Sequence, residues 1–139
     1  MIILGLDYGE RRIGVAVSDE LEIAAHPLET IERDGSERRR IAELVEERGA
    51  DLIVVGLPLR MEGGEGIASR KVRSFVKDLK KEVSEVDVEL MDERLSTAQA
   101  HRALSDMGAG MRRRREDVDR MAAQIILQRY LERRRRAQS

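Results

Sequence analysis

The stretch "DLIVVGLPL", residues 51–59, constrains the fold more than any other part of this chain. Side chains along a strand point alternately to the two faces of a sheet, and here both sets are apolar, so both faces need covering. A strand of that kind belongs in the middle of a sheet that carries helices on either side. "IILGLD" and "RIGVAVSD" near the start are also apolar and β-branched, and the glycine-containing "YGER" between them reads as the turn of a hairpin. "EIAAHPLETIE" reads as a third strand, confined to an edge or a bulge by Pro27.

Downstream, helical and strand patterns alternate. "DGSERRRIAELVEERGA" places Ile41, Leu44 and Val45 on one face and stops at Gly49, which makes it a helix. "IASRKVRSFVKDLKKEV" is an amphipathic helix with Ile67, Val72, Phe75, Val76 and Leu79 inward, and "VDVELMDE" is a strand. In "LSTAQAHRALSDMG", Ser96 and Gln99 form a capping box, Leu95 stands at the staple position and Gly108 ends the helix. "GAGMRRRRE" is expected as a loop and "DVDRMAAQIILQRYLERRRR" as the last helix. With no internal repeat and no long linker, the expectation is one α/β domain over residues 1–139. Its mixed β-sheet is flanked by helices in the order βββαβαβαα, and residues 133–139 form a flexible basic tail.

The formal net charge of −1 conceals a division along the chain. Residues 1–93 carry 14 basic and 22 acidic side chains; residues 94–139 carry 12 basic and 5 acidic, and every one of those 12 is arginine. Such asymmetry points to an anionic partner, nucleic acid first, although arginine runs also serve as solvated helix faces. Aromatic residues are limited to Tyr8, Phe75 and Tyr130, too few for a binder that stacks single-stranded bases, so phosphates and shape would carry recognition. The chain has no cysteine, which removes disulfides and thiolate metal sites. No apolar run reaches the roughly 20 residues of a membrane span, and none has the layout of a signal peptide. A cytoplasmic protein without membrane contact is expected.

Three carboxylates ask for an explanation, because an ionised carboxylate in a dry interior is costly unless paired, hydrogen-bonded or bound to a metal. Asp7 ends the first apolar strand, where it could also be a turn-forming residue before Tyr8 and Gly9. Asp92 and Glu93 end a later strand. Alternation puts Asp92 with Val86, Val88 and Leu90 and Glu93 on the opposite face, but fraying at the strand's last residue leaves the pair undecided. On the last helix Val118, Met121, Ala122 and Ile125 mark the centre of the apolar stripe. Asp119 borders that stripe, whereas Asp117 falls on the wet side with Arg120 and Gln124. Either aspartate could serve the helix N-terminus. Jointly, Asp7, the Asp92–Glu93 pair and Asp119 suit a hard divalent cation such as Mg²⁺, and two such ions about 3.5–4 Å apart can drive phosphodiester cleavage.

"LDYGERRIGVAVSD", "IVVGLPLRMEGGEG", "DERLSTAQA" and "VDRMAAQIILQRYL" resemble, in this order and over nearly the full length, the signature blocks of the YqgF (RuvX) family. That family has an RNase H-like fold related to the RuvC resolvases and is described as acting on the 5′ end of pre-16S rRNA, and earlier as resolving Holliday junctions. The resemblance implies Asp7, Glu93 and Asp119 as the catalytic acids and ligands of Mg²⁺ or Mn²⁺, at a site for one ion or a pair, while Asp92 stays open as an alternative ligand to its neighbour Glu93. Other residues of these blocks admit a physical role: Arg12 and Arg94 could contact phosphates near the metal, and Gly9, Gly56, Gly63 and Gly64 would allow close backbone approach, although turn geometry also explains such glycines. Arg112, Arg113, Arg114 and Arg115 could clamp a nucleic-acid backbone from the loop before Asp119. "GLPLRMEGGEG" lacks the Gly-Lys-Ser/Thr ending of a P-loop, and His26 and His101 have no partners at ligand spacing. The expected activity is metal-dependent endonucleolytic hydrolysis of structured RNA, with a pre-ribosomal particle as partner. The alternatives are a DNA-junction resolvase, which would act as a homodimer, and a non-catalytic RNA-binding assembly factor.

Overall fold

The computed structural model describes residues 1–58, 66–93 and 111–138, with side chains for all of them except Glu93 and residues 111–117. Strand β1 (Ile2–Tyr8) turns back into β2 (Arg12–Ser18) and then β3 (Ala25–Glu32). Helix α1 (Glu37–Arg48), β4 (Ala50–Pro58), α2 (Ile67–Glu82), β5 (Asp87–Glu93) and α3 (Met111–Gln138) follow. These strands form one five-stranded sheet in the order β3-β2-β1-β4-β5. β1, β2 and β3 pair antiparallel, while β4 runs parallel to both β1 and β5. The C-terminal ends of β1, β4 and β5 therefore lie along the same edge of the sheet.

β4 is buried from Leu52 to Leu57, as an apolar run without alternation requires. Its two faces meet different partners. One carries Leu4, Leu6, Ile13, Val15, Ile53 and Val55 against α1 and α2; the other carries Ile3, Ala16, Leu52, Val54 and Met91 against α3. β3 is the edge strand anticipated from Pro27, and the register slips beside that residue, where Ala16 faces Pro27 after Val15 has faced Glu29. Gly49 ends α1 in the left-handed region at φ 64°, a conformation glycine adopts without steric penalty.

Several expectations need correction. Ile67, expected inward, is 63% exposed. It is the first residue of α2, and two positions later Ser69 takes the buried place, its hydroxyl donating to the Pro58 carbonyl. The arginines at 112–115, expected in a loop, lie within α3, which begins at Met111. Methionine, arginine and glutamate are strong helix formers, and nothing after Gly110 breaks the pattern. Residues 133–138, expected as a tail, are the last turns of the same helix, where Arg134 donates to Glu22. The buried stripe of α3 is rotated from its expected centre: Ala122, Ala123, Ile126, Leu127 and Leu131 are buried, while Met121 and Ile125 are only half-buried. The helix expected at "LSTAQAHRALSDMG" lies outside the described residues. Among the described residues no helix is long and apolar enough to cross a membrane.

Candidate active site

The rotated stripe of α3 follows from what it rests on. A Cβ built on Gly14 of β2 would stand 1.8 Å from the carbonyl oxygen of Asp119, one on Gly5 of β1 2.7 Å from Leu127 Cβ, and one on Gly56 of β4 2.5 Å from Ile126 Cδ1. Three glycines in three adjacent strands thus form a trough into which α3 settles at backbone distance, and glycine within a strand commonly marks such an approach. Gly56, expected to let the backbone approach substrate, is instead buried inside β4 beneath Ile126.

The trough fixes the position of Asp119. Gly14 is the cross-strand partner of Asp7, and partners directly opposite in an antiparallel pair share a face of the sheet. Asp7, at the end of β1, and Asp119, seated on Gly14, therefore occupy the same corner on the α3 face. They are 112 residues apart in sequence. Arg12, two residues before Gly14 and on the same pleat side, donates from Nε to Asp119 Oδ2 at 2.9 Å, with both side chains about one-fifth exposed. Arg12 was expected at phosphate; it stands beside an acid of the candidate site. An open pocket of about 380 Å³ is lined here by Gly9, Glu10, Arg11, Arg12 and Asp119. Gly9 closes the turn, its N–H donating to the Arg12 carbonyl at 2.9 Å.

On the far side of β4 the ladder continues to the end of β5, where Leu57 faces Asp92 and Pro58 faces Glu93. Pairing thus persists to the strand's last residue, and alternation with it. Glu93 holds the pleat position of Met91 and Glu89 on the α3 side, the side of Asp7, whereas Asp92 holds that of Val88 and Leu90 on the other. Asp7 is level with Gly56 and Met91 in the register, so strand spacings put the Cα atoms of Asp7 and Glu93 about 12 Å apart across β4. Among the described residues no three acidic or histidine side chains stand close enough to hold one ion; the Glu93 side chain lies outside that description.

Arg112, Arg113, Arg114 and Arg115 precede Asp119 by four to seven helical positions, which carries their backbone about 6–10 Å along the helix from it, away from the Gly5 end of the trough. Arg94, Gly63, Gly64 and His101 lie outside the described residues, and His26 is exposed on β3 away from the corner. Lower on the same helix face, burial and the carboxylate of Glu89, which accepts the Tyr130 hydroxyl, push the Tyr130 phenol up to about 12. That group braces α3 on β5 and stays protonated at neutral pH. Sequence reasoning missed Gly5 and Gly14, although glycine inside "IILGLD" and "RIGVAVSD" was the available signal.

Comparison with known proteins agrees with this architecture. A protein of Chloroflexus aggregans is 48% identical over 136 residues, covering 96% of this chain and 94% of its own. One of Desulforudis audaxviator is 45% identical over 133 residues, covering 94% of each. Both carry the name "Putative pre-16S rRNA nuclease". Among solved structures, Thermus thermophilus RuvC in complex with Holliday junction substrate superposes with a TM-score of 0.54 at 17% identity, over 97% of this chain and 96% of that one. The fowlpox virus resolvase, also in complex with junction DNA, gives 0.57 at 12%, over 96% and 98%. These neighbours show the RNase H-like fold, with helices on both sides of a mixed sheet. A family model described as "RuvX: Holliday junction resolvase" matches residues 1–133, so the chain whose late helix seats an aspartate beside the end of β1 belongs to the RuvX family, a family of nucleases that hydrolyse phosphodiester bonds.

Proposed function

We propose that this chain is a divalent-metal-dependent endonuclease acting on structured RNA, with the 5′ end of pre-16S rRNA as its substrate. The observation that carries this reading is the seating of Asp119 on Gly14, directly across from Asp7 at the edge where β1, β4 and β5 end. The donor chemistry fits Mg²⁺ or Mn²⁺: Asp7, Glu93 and Asp119 offer hard carboxylate oxygens, and the Asp119 carboxylate already engages a cationic group in Arg12. Asp7, Glu93 and Asp119 would hold the ion, or a pair of ions, with Asp92 outside the set because it takes the opposite pleat position. When bound, such an ion supplies an activated water and stabilises charge on the leaving oxygen.

The chain's own groups do the rest. The trough glycines fix Asp119 against the sheet, so its carboxylate needs little reorganisation when substrate arrives. Arg12 partly neutralises Asp119 and stands beside the pocket where a non-bridging phosphate oxygen would sit. The arginines at 112–115, on the helical extension above the corner, and Arg94, next to Glu93, meet the flanking backbone through counterion release. The names borne by the relatives favour pre-16S rRNA within a pre-ribosomal particle. The description of the family model and the junction-bound structural neighbours favour branched DNA as the second reading. A side-by-side cleavage assay with Mn²⁺ on precursor rRNA and a four-way DNA junction separates them. Asp7→Asn, Glu93→Gln and Asp119→Asn should each abolish cutting while leaving binding intact. Wild-type turnover in those variants would overturn the site, and binding without any cleavage would favour an RNA-binding assembly factor.

A further inference from the structure

The turn that borders the acidic corner has a second side, and its environment is cationic. Gly9 and Glu10 line the active-site pocket on the α3 face; they also line a cavity of about 280 Å³ on the other face, together with Tyr8, Arg33, Ile67 and Lys71. Tyr8, Arg33 and Lys71 continue into a third hollow between α1 and α2. A groove thus leads from the candidate active site across the tip of the β1–β2 hairpin and past two cations.

Arg33 is held there on several sides. Its Nη1 donates to the carbonyls of Gly9 at 2.8 Å and Glu10 at 2.6 Å, and its guanidinium carbon stands 4.3 Å over the centre of the Tyr8 ring. Phe75 stacks on Tyr8 at a centroid distance of 4.3 Å. Two groups at that distance cannot share one face of a ring, so Phe75 and Arg33 cover both. Tyr8 consequently has no face to offer a nucleobase; what it presents is an arginine whose side-chain entropy is already lost. Among the described residues Arg33 makes no ion pair, and its Nη2 and Nε have no hydrogen-bond acceptor. Lys71, exposed on the first turns of α2, makes no ion pair there either. Arg38, by contrast, is engaged by Asp78 at 3.3 Å. Among the described residues that line the middle cavity, Glu10 is the one acid beside the two cations Arg33 and Lys71.

We infer that Arg33 and Lys71 form a phosphate-binding subsite for the nucleic-acid strand that runs on from the scissile bond over the hairpin tip. The contact is to the sugar–phosphate backbone, which follows from two cations that make no ion pair among the described residues, beside an aromatic ring whose two faces are covered. This subsite rests on the nuclease reading above and adds to it a path for one flank of the substrate.

The test uses the full chain in the Asp7→Asn form, so that binding is measured without cleavage. The probe is a fluorescent RNA hairpin with single-stranded flanks on both sides, titrated over a range of salt. Lys71→Glu is exposed enough to fold normally; Lys81→Glu makes the same charge change about 15 Å further along α2. Lys71→Glu should weaken binding about 10-fold and lower the salt slope by about 0.7–0.9, the value of one phosphate contact, while Lys81→Glu stays within about 2-fold. Because the chain has no native cysteine, Lys71→Cys can carry a photocrosslinker, which should label nucleotides on one flank only. Equal effects at positions 71 and 81, or crosslinks spread over both flanks, would overturn the subsite and leave the nuclease reading standing. Absence of salt-dependent binding in the Asp7→Asn parent would remove that reading and the subsite with it.

Discussion

Replacing Gly14 with alanine adds one methyl group and should cost more than most core substitutions in this protein. The new Cβ would stand 1.8 Å from the Asp119 carbonyl oxygen, 2.3 Å from its carbonyl carbon and 3.1 Å from the Arg120 nitrogen. All three are backbone atoms of one helix, so no rotamer change relieves the clash, and the first described turns of α3 must lift by more than 1 Å from the sheet. Overpacking typically costs about 1–3 kcal/mol, and a rigid backbone on the receiving side places this case near 3 kcal/mol, or about 10 °C in melting temperature. A displacement of that size at Asp119 should also lower cleavage by about 100-fold. Gly56→Ala is the control: its Cβ meets Ile126 Cδ1 at 2.5 Å, the far end of a flexible side chain, and should cost about 1 kcal/mol with activity nearly unchanged. Thermal melts and single-turnover cleavage on wild type, Gly14→Ala and Gly56→Ala decide the matter. Wild-type stability and rate in Gly14→Ala would refute the seating of Asp119 as the feature that builds the site.

Three further outcomes are expected. Chelation with EDTA should abolish cleavage, and added Mn²⁺ or Mg²⁺ should restore it; full activity in chelator would eliminate the metal reading. Arg12→Lys replaces the guanidinium that bonds Asp119 through Nε with a point charge, and cleavage should fall about 10-fold with folding retained, measured by single-turnover rates beside circular dichroism. The hydrogen bonds and charge of Arg40 hold the Glu29 carboxyl below its ordinary value of 4.5. The stability this contributes is therefore present above that value and lost as pH falls through the lowered one. Urea titrations from pH 6 to pH 3 should show a shallower acid loss in Glu29→Gln than in wild type, and parallel curves would contradict the linkage.

Much of the fold is legible in the residues because it depends on local pattern. The apolar run at 51–59 required a two-sided strand, Pro27 required an edge or bulge, and Gly49 required a helix end; each is found among the described residues, the strand as far as Pro58. The start of α3 was misjudged because a run of like charges looks like a solvated loop, yet the helix propensity of arginine prevails. Ile67 was misjudged because periodicity shows which face a residue takes and not whether the first turn has reached the sheet. At the site, helical position favoured Asp119 over Asp117, but its place against Asp7 was not legible. That depends on a glycine over a hundred positions away accepting a helix backbone, a contact no local pattern encodes. The same holds for Arg12, whose partner across 107 positions is Asp119, an acid of the candidate site. Which pleat positions Asp92 and Glu93 take turned on whether pairing lasts to the end of β5, which is a property of the neighbouring strand.

The central claim is that Asp7, Glu93 and Asp119 share a divalent cation, and Mn²⁺ binding followed by electron paramagnetic resonance tests it without substrate. Asp7→Asn, Glu93→Gln and Asp119→Asn should each weaken Mn²⁺ binding by about 10-fold or more relative to the parent chain, while Asp92→Asn changes it little. Parent-like Mn²⁺ affinity in all three variants would contradict the account.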